Sequence, residues 1–181
     1  MKENKSQSEV NILSGNLSIE QLKTTKHSLN ELSELLIKTI EDGASIGFLS
    51  PVQLIDANHY WKTLLGPEVI LLVAESHNKI VGSIQLHFST KQNGRHRAEI
   101  AKLMTHPNFR RMGIGRLLMQ KAEEIAKNEG RSLLVLDTRE GDPSNILYTS
   151  LGYVRAGRIP NYAQSPNGEL AATIFYYKEI N

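Results

Sequence analysis

The sequence predicts an α/β (α+β) fold: a mixed, mostly antiparallel central sheet with one parallel crossover and flanking helices. Three observations carry that expectation. Two apolar runs joined by the turn Ser76-His77-Asn78-Lys79 read as a hairpin, a strand–helix–strand unit runs from Ala98 to Leu136, and helical apolar stripes lie upstream. With 181 residues one core is expected, residues 9–181 forming a single domain behind a flexible tail of residues 1–8.

Val10 to Leu17 reads as a first strand. From Thr25 the spacing of Leu29, Leu32, Leu35, Leu36 and Ile40 is helical and stops near Asp42-Gly43, where glycine suits a helix end. Gly43 to Pro51 is a loop. A second helix is expected from Pro51 to Leu65, with Ser50 as its cap. Val69 to Ala74 and Val81 to Phe88 are the hairpin strands, the second placing Ile84, Leu86 and Phe88 opposite Ser83, Gln85 and His87.

Lys91 to His96 is a polar loop, and Ala98 to Thr105 is a strand. Ile114, Leu117, Leu118, Ala122, Ile125 and Ala126 mark one face of a long helix that ends at Asn128-Glu129-Gly130. The apolar run Leu133 to Leu136 has the character of a parallel strand covered on both sides. A right-handed crossover follows. Pro143 to Leu151 is a short helix stopped by Gly152; then come a strand from Tyr153, a loop from Ile159 to Glu169, and a last strand from Ala171 to Lys178.

Composition excludes more than it identifies. The chain has 21 basic and 19 acidic residues, for a net charge of +2, so no basic excess points to nucleic acid. The absence of cysteine removes disulfides, thiolate metal sites and a cysteine nucleophile. No apolar run approaches the ~20 residues needed to span a bilayer, and Met1 to Glu9 is too polar for a signal peptide. A cytoplasmic protein with no membrane partner is expected. His87, His96 and His106 lack metal spacing, so surface or capping roles are expected of them and no metal site.

The chemical signal is Arg110-Arg111-Met112-Gly113-Ile114-Gly115-Arg116, placed between a predicted strand and a predicted helix. Unpaired N–H groups at a helix start favour an anion, and glycines let backbone approach it. Three arginines strengthen a phosphate reading over a plain turn. A P-loop is excluded, because no Gly-Lys-Ser/Thr follows. A dinucleotide fingerprint would use Gly113, Gly115 and Asp137, but Leu118 stands where its third glycine belongs and the paired mononucleotide halves are missing.

With Arg110, Gly113 and Gly115 matching Gln/Arg-x-x-Gly-x-Gly/Ala, the sequence resembles the GNAT superfamily of N-acetyltransferases. Tyr148 to Tyr153 is similar to that family's Tyr-x-x-x-Gly-Phe/Tyr segment; Gly141 and Ser144 stand where the family often has asparagine and alanine. The resemblance covers about Ile70 to Lys178. Glu99, residues 157–162 and residues 166–168 are most like small bacterial acetyltransferases of the tabtoxin-resistance type.

The resemblance implies acetyl-coenzyme A as cosubstrate, without metal. Its pyrophosphate would meet the main chain of Arg111, Met112, Gly113, Ile114, Gly115 and Arg116, and its pantetheine arm would lie beside Leu103 and Met104, where an N–H would also face the reacting oxygen. A small-molecule amine is the implied acceptor, and a homodimer is compatible with it. The family also includes enzymes that acetylate peptides and proteins, and a non-catalytic acyl-coenzyme A sensor is the alternative from another class.

An alkyl ammonium must lose a proton before it attacks a thioester. Glu99, at the distance before the turn where histone-acetylating members carry a base, and Asp137 are the candidates; a solvated strand residue and a turn cap are their other readings. Tyr148, the family tyrosine, is either a proton donor to the thiolate or a residue packed on the sheet. Phe48, Asn161 and Tyr162 are candidate acceptor-pocket residues. Tyr60 and Trp61 are read as core or dimer contacts.

Overall fold

The structure, a computed structural model, describes residues 17–165 and 167–180. Its elements are β1 (Leu17–Leu22), α1 (Leu29–Glu41), α2 (Leu54–Leu64), β2 (Val69–Ser76), β3 (Lys79–Phe88), β4 (Arg97–Thr105), α3 (Ile114–Asn128), β5 (Leu133–Arg139), α4 (Ser144–Ser150), β6 (Val154–Gln164) and β7 (Leu170–Glu179). The seven strands form one sheet in the order β1-β2-β3-β4-β5-β7-β6. Every neighbouring pair is antiparallel except β4 and β5. The strand expected at Val10 to Leu17 lies outside the described residues, apart from Leu17.

Helices cover both faces. On one side Leu32, Leu35, Leu36 and Ile40 of α1 and Trp61 of α2 pack with Leu71 and Val73 of β2. On the other, Ile114, Leu118, Met119 and Ala122 of α3 pack with Leu72, Ile84, Leu86 and Leu134, joined by Tyr148 of α4. The two faces alternate along each central strand, as a period of two requires. Because β3 lies between both layers, Ser83 and Gln85 are buried as well. The polar face of the hairpin is therefore interior.

Three features differ from expectation. The second helix begins at Leu54, with extended Gln53 at its N-cap and no side-chain capping bond; Ser50 and Pro51 belong to the loop before it. Strand β6 continues through the expected Ile159 to Glu169 loop, since pairing with β7 resumes at Ala163 after an irregularity. Asn161, at φ 54, absorbs the surplus residues there. Finally, β5 is not covered on both sides: Leu134 and Leu136 are buried, whereas Leu133 and Val135 are half-buried and Asp137 is exposed.

The sheet meets α3 most tightly at Gly82. A Cβ there would stand 2.9 Å from Ile114 Cγ2, 3.0 Å from the Met104 carbonyl oxygen and 3.2 Å from Leu118 Cδ1. The carbonyl cannot step aside, because Met104 is locked into pairing with Ser83. Gly82→Ala is expected to lower unfolding free energy by about 1–3 kcal/mol, measured by chemical denaturation.

Candidate active site

Strands β4 and β5 pair over only three positions: Arg97 with Leu133, Ala98 with Leu134 and Glu99 with Val135. Beyond Glu99 they part, and the sheet opens between Ile100–Thr105 and Leu136–Arg139. A second irregularity lies on β4 itself. Gln85 pairs with Ala101 and Ser83 with Met104, so Lys102 and Leu103 together oppose the single residue Ile84. Lys102 adopts a left-handed backbone, φ 51, as a β-bulge permits.

The bulge redirects side chains. Leu103 packs against the α3 layer, near Gly115, while Met104 joins the α1 and α2 layer. Lys102 reaches the Gly43–Pro51 loop, its Nζ lying 3.3 Å from where a Cβ on Gly47 would stand. That loop is tied down elsewhere. Arg139 donates to the Gly43 carbonyl at 2.9 Å, and Arg110 is ion-paired with Asp42.

At the α3 end of the opening lies the turn from Arg110 to Arg116. Gly113 caps α3 with φ 79, and Arg111 has φ 65. The Arg110 N–H donates to Pro107 and the Leu117 N–H to Gly113. Among the described residues none accepts from the N–H groups of Arg111, Met112, Gly113, Ile114, Gly115 or Arg116. Six successive donors thus remain for a ligand or solvent. The Arg111, Met112, Gly113 and Arg116 side of this turn is exposed, and Ile114 is buried against the sheet. Arg116 donates to Ser150 Oγ at 2.7 Å, which holds it beside α4.

Across the sheet, four titratable side chains are electrostatically coupled: His87, Glu99, Lys102 and Asp137. Glu99 is directly opposite His87 in the β3–β4 register and opposite Val135 in the β4–β5 register. Asp137 follows Val135 by two residues and so shares its face. Its surface is open to solvent, yet surrounding atoms displace enough hydration to raise its pKa; the Glu99 charge adds to this and Lys102 opposes it. Burial pushes the Lys102 ammonium down, with Asp137 and Glu99 opposing.

Sequence reasoning singled out Glu99 and Asp137, and the fold brings them to one face. It missed Lys102, whose only signal was a charged residue inside an apolar strand. Phe48 and Tyr162 reach this same face. Phe48 meets the Tyr60 ring edge-on at 5.1 Å, and Tyr162 meets Phe175, which is opposite Asp137, at 5.4 Å. Asn161 is exposed at the β6 irregularity.

Tyr148 lies on α4, packed in the core cluster of the α3 layer. Only 6% exposed, its ring lies 6.0 Å from Tyr153 and 5.8 Å from Tyr176. Burial raises its phenol well above the usual value, with the Asp137 charge reinforcing the shift. Asn145 does not point outward: it donates to the carbonyls of Arg139 and Asp142 and accepts from the Tyr176 hydroxyl.

Residues 31–153 match the acetyltransferase (GNAT) family. The chain belongs to this family. An N-acetyltransferase from the hisH-hisA intergenic region of Azospirillum brasilense is 30% identical over 128 residues, 68% of this chain and 76% of that one. The IAA acetyltransferase of the same organism is 27% identical over 139 residues, covering 75% and 87%. Among solved structures, yncA of Salmonella typhimurium, determined with its cofactor acetyl-CoA, is 17% identical with a TM-score of 0.77, covering 92% and 95% of the two chains.

The protein is thus an acetyl-coenzyme A dependent N-acetyltransferase with the α+β fold of that family. Among the described residues no cluster of three or more His, Cys, Asp or Glu side chains could hold a metal ion, and no helix is long and apolar enough to cross a membrane. His106 acts as a cap, its Nδ1 accepting from the Asn108 N–H at 3.2 Å.

The charge cluster makes a signed prediction. In a carbon-detected NMR titration, the Asp137 midpoint should lie above the ordinary value of 3.8. Glu99→Gln should bring it down and Lys102→Met should move it further up.

Proposed function

We propose that this transferase moves acetyl from acetyl-coenzyme A to the primary amine of a small molecule, by direct attack and without a metal or an acyl-enzyme. The observation that carries the reading is the parting of β4 and β5 between two ends of opposite character. One end offers amide hydrogens and guanidinium groups, which suit a diphosphate. The other offers Glu99 and Asp137, which suit an ammonium ion.

In this reading Arg110, Arg111 and Arg116 and the amides of residues 111–116 grip the pyrophosphate. Leu103 and Met104 border the slot for the pantetheine arm, with a main-chain N–H near the bulge facing the oxygen that gains charge. Glu99 and Asp137 draw in the ammonium and let its proton leave, directly or through water. Tyr148, which burial keeps protonated at neutral pH, is the group that would give the departing thiolate its proton.

A small acceptor is supported by the anchoring of the Gly43–Pro51 loop to Arg139 and Arg110, with Phe48 and Tyr60 forming an aromatic wall. Tyr162 and Asn161 border the other side. Kinship with an enzyme named for acetylating IAA, a small molecule, points the same way. A relationship to the tabtoxin-resistance type would narrow the acceptor to amine-bearing toxins or antibiotics.

The test is thiol release on mixing the protein with acetyl-coenzyme A and a panel of small amines, amine toxins and peptides. Turnover with at least one small amine is expected. Coenzyme binding without turnover would instead make the protein a sensor, and turnover confined to peptides would give it a polypeptide acceptor.

Gly113→Val tests the other end. A side chain at φ 79 costs about 1–2 kcal/mol, but a Cβ there meets nothing within 4 Å. The fold should survive. By calorimetry, coenzyme A affinity should drop at least about tenfold, the equivalent of one charge-assisted hydrogen bond.

A further inference from the structure

Beneath the acceptor end runs a hydrogen-bonded array that the reading above does not use. Gln85 of β3 is only 1% exposed. Its carbonyl oxygen lies 3.0 Å from His87 Nε2 and accepts from the Tyr60 hydroxyl at 3.1 Å. Its amide nitrogen is 2.7 Å from that same hydroxyl, to which it donates. Burying an amide in a sheet is unfavourable unless its groups are paired, and here both ends are paired to fix one ring.

The arrangement determines where the imidazole carries its hydrogen. With the Gln85 amide turned so that its carbonyl oxygen, which can only accept, faces the ring, the arrangement favours Nε2 as the protonated nitrogen and leaves the lone pair on Nδ1. Among the described residues nothing is hydrogen-bonded to Nδ1. His87 is half-buried rather than sealed, and it stands opposite Glu99 on the face where the acceptor would enter.

We propose that His87 accepts the proton of the acceptor amine on Nδ1, with Gln85 and Tyr60 acting as positioning residues that hold it in the Nε2–H form. This rests on the transferase reading given above. The amine R–NH3+ gives one proton to Nδ1 and its freed pair forms the N–C bond to the acetyl carbon. As the C–S bond breaks, the thiolate takes a proton from Tyr148, which regains one from the amide-forming nitrogen. The imidazolium returns its proton to solvent.

The charged groups acting on His87 are Glu99 and Lys102 on β4, and Tyr60 on α2 is linked to it through Gln85. Burial moves the ring below its ordinary value of 6.5; the Glu99 charge opposes this and Lys102 reinforces it. The neutral ring therefore prevails at pH 7. Imidazole is also nearer the working range than an ordinary carboxylate, which favours it as a base.

Nitrogen-15 NMR of histidine-labelled protein should show His87 as the Nε2–H tautomer, and Gln85→Leu should yield a mixture. His87→Gln should lower kcat about 100-fold, as expected for loss of a general base, and remove the acidic limb of the pH profile, while coenzyme A affinity stays unchanged. An Nδ1–H tautomer in the unmodified protein would overturn the proposal. So would a His87→Gln variant within about threefold of full activity, by the same measure. Absence of turnover in the unmodified protein would instead count against the transferase reading, leaving the tautomer result to judge His87.

Discussion

Everything at the candidate site depends on a sheet that stops being a sheet. Parallel strands β4 and β5 hold each other through three pairs and then diverge, leaving main-chain groups that a continuous ladder would have consumed. Such groups are unfavourable to bury without partners. The opening is maintained because each strand is secured on its far side, β4 by β3 and β5 by β7 along its whole length. Divergence there creates a passage through the layer instead of an edge.

The bulge at Lys102 and Leu103 gives that passage its two characters. One surplus residue reverses the alternation of side chains. Consequently Leu103 turns to the α3 layer and the Lys102 ammonium goes to the side of Glu99 and Asp137. Three charged groups from two strands are then coupled to one another and two of them, Glu99 and Lys102, to the His87 imidazole. Burial keeps Asp137 more basic and Lys102 more acidic than either would be in water; the Glu99 charge adds to the first shift, and Asp137 and Glu99 oppose the second, a condition suited to handling protons near neutral pH.

Much of the fold was legible because the signals were local. The stripe of α3, the Gly113 cap, the hairpin and the polar turn at Ser76 to Lys79 each depend on neighbours a few residues away. The boundaries that shifted involve distant partners. Proline at 160 and asparagine at 161 look like a loop, yet pairing of β6 with β7 resumes beyond them at Ala163 and makes them an irregularity within one strand. Gln85 and His87 look like the wet face of a strand, and packing of α1 and α2 on that side leaves Gln85 buried and His87 half-buried.

By itself the sequence determined the α/β pattern, the glycine- and arginine-rich bend at Arg110 to Arg116 and the candidacy of Glu99, Asp137 and Tyr148, since glycine, charge and periodicity speak through residue identity and short spacing. Tertiary structure decided that Glu99 and Asp137 share a face, that Tyr148 lies behind the sheet, and that Lys102, Gln85 and Tyr60 belong near the acceptor end. Those outcomes depend on strand register and on a single extra residue in β4. Register is settled by contacts between segments far apart in the chain, which residue spacing does not encode.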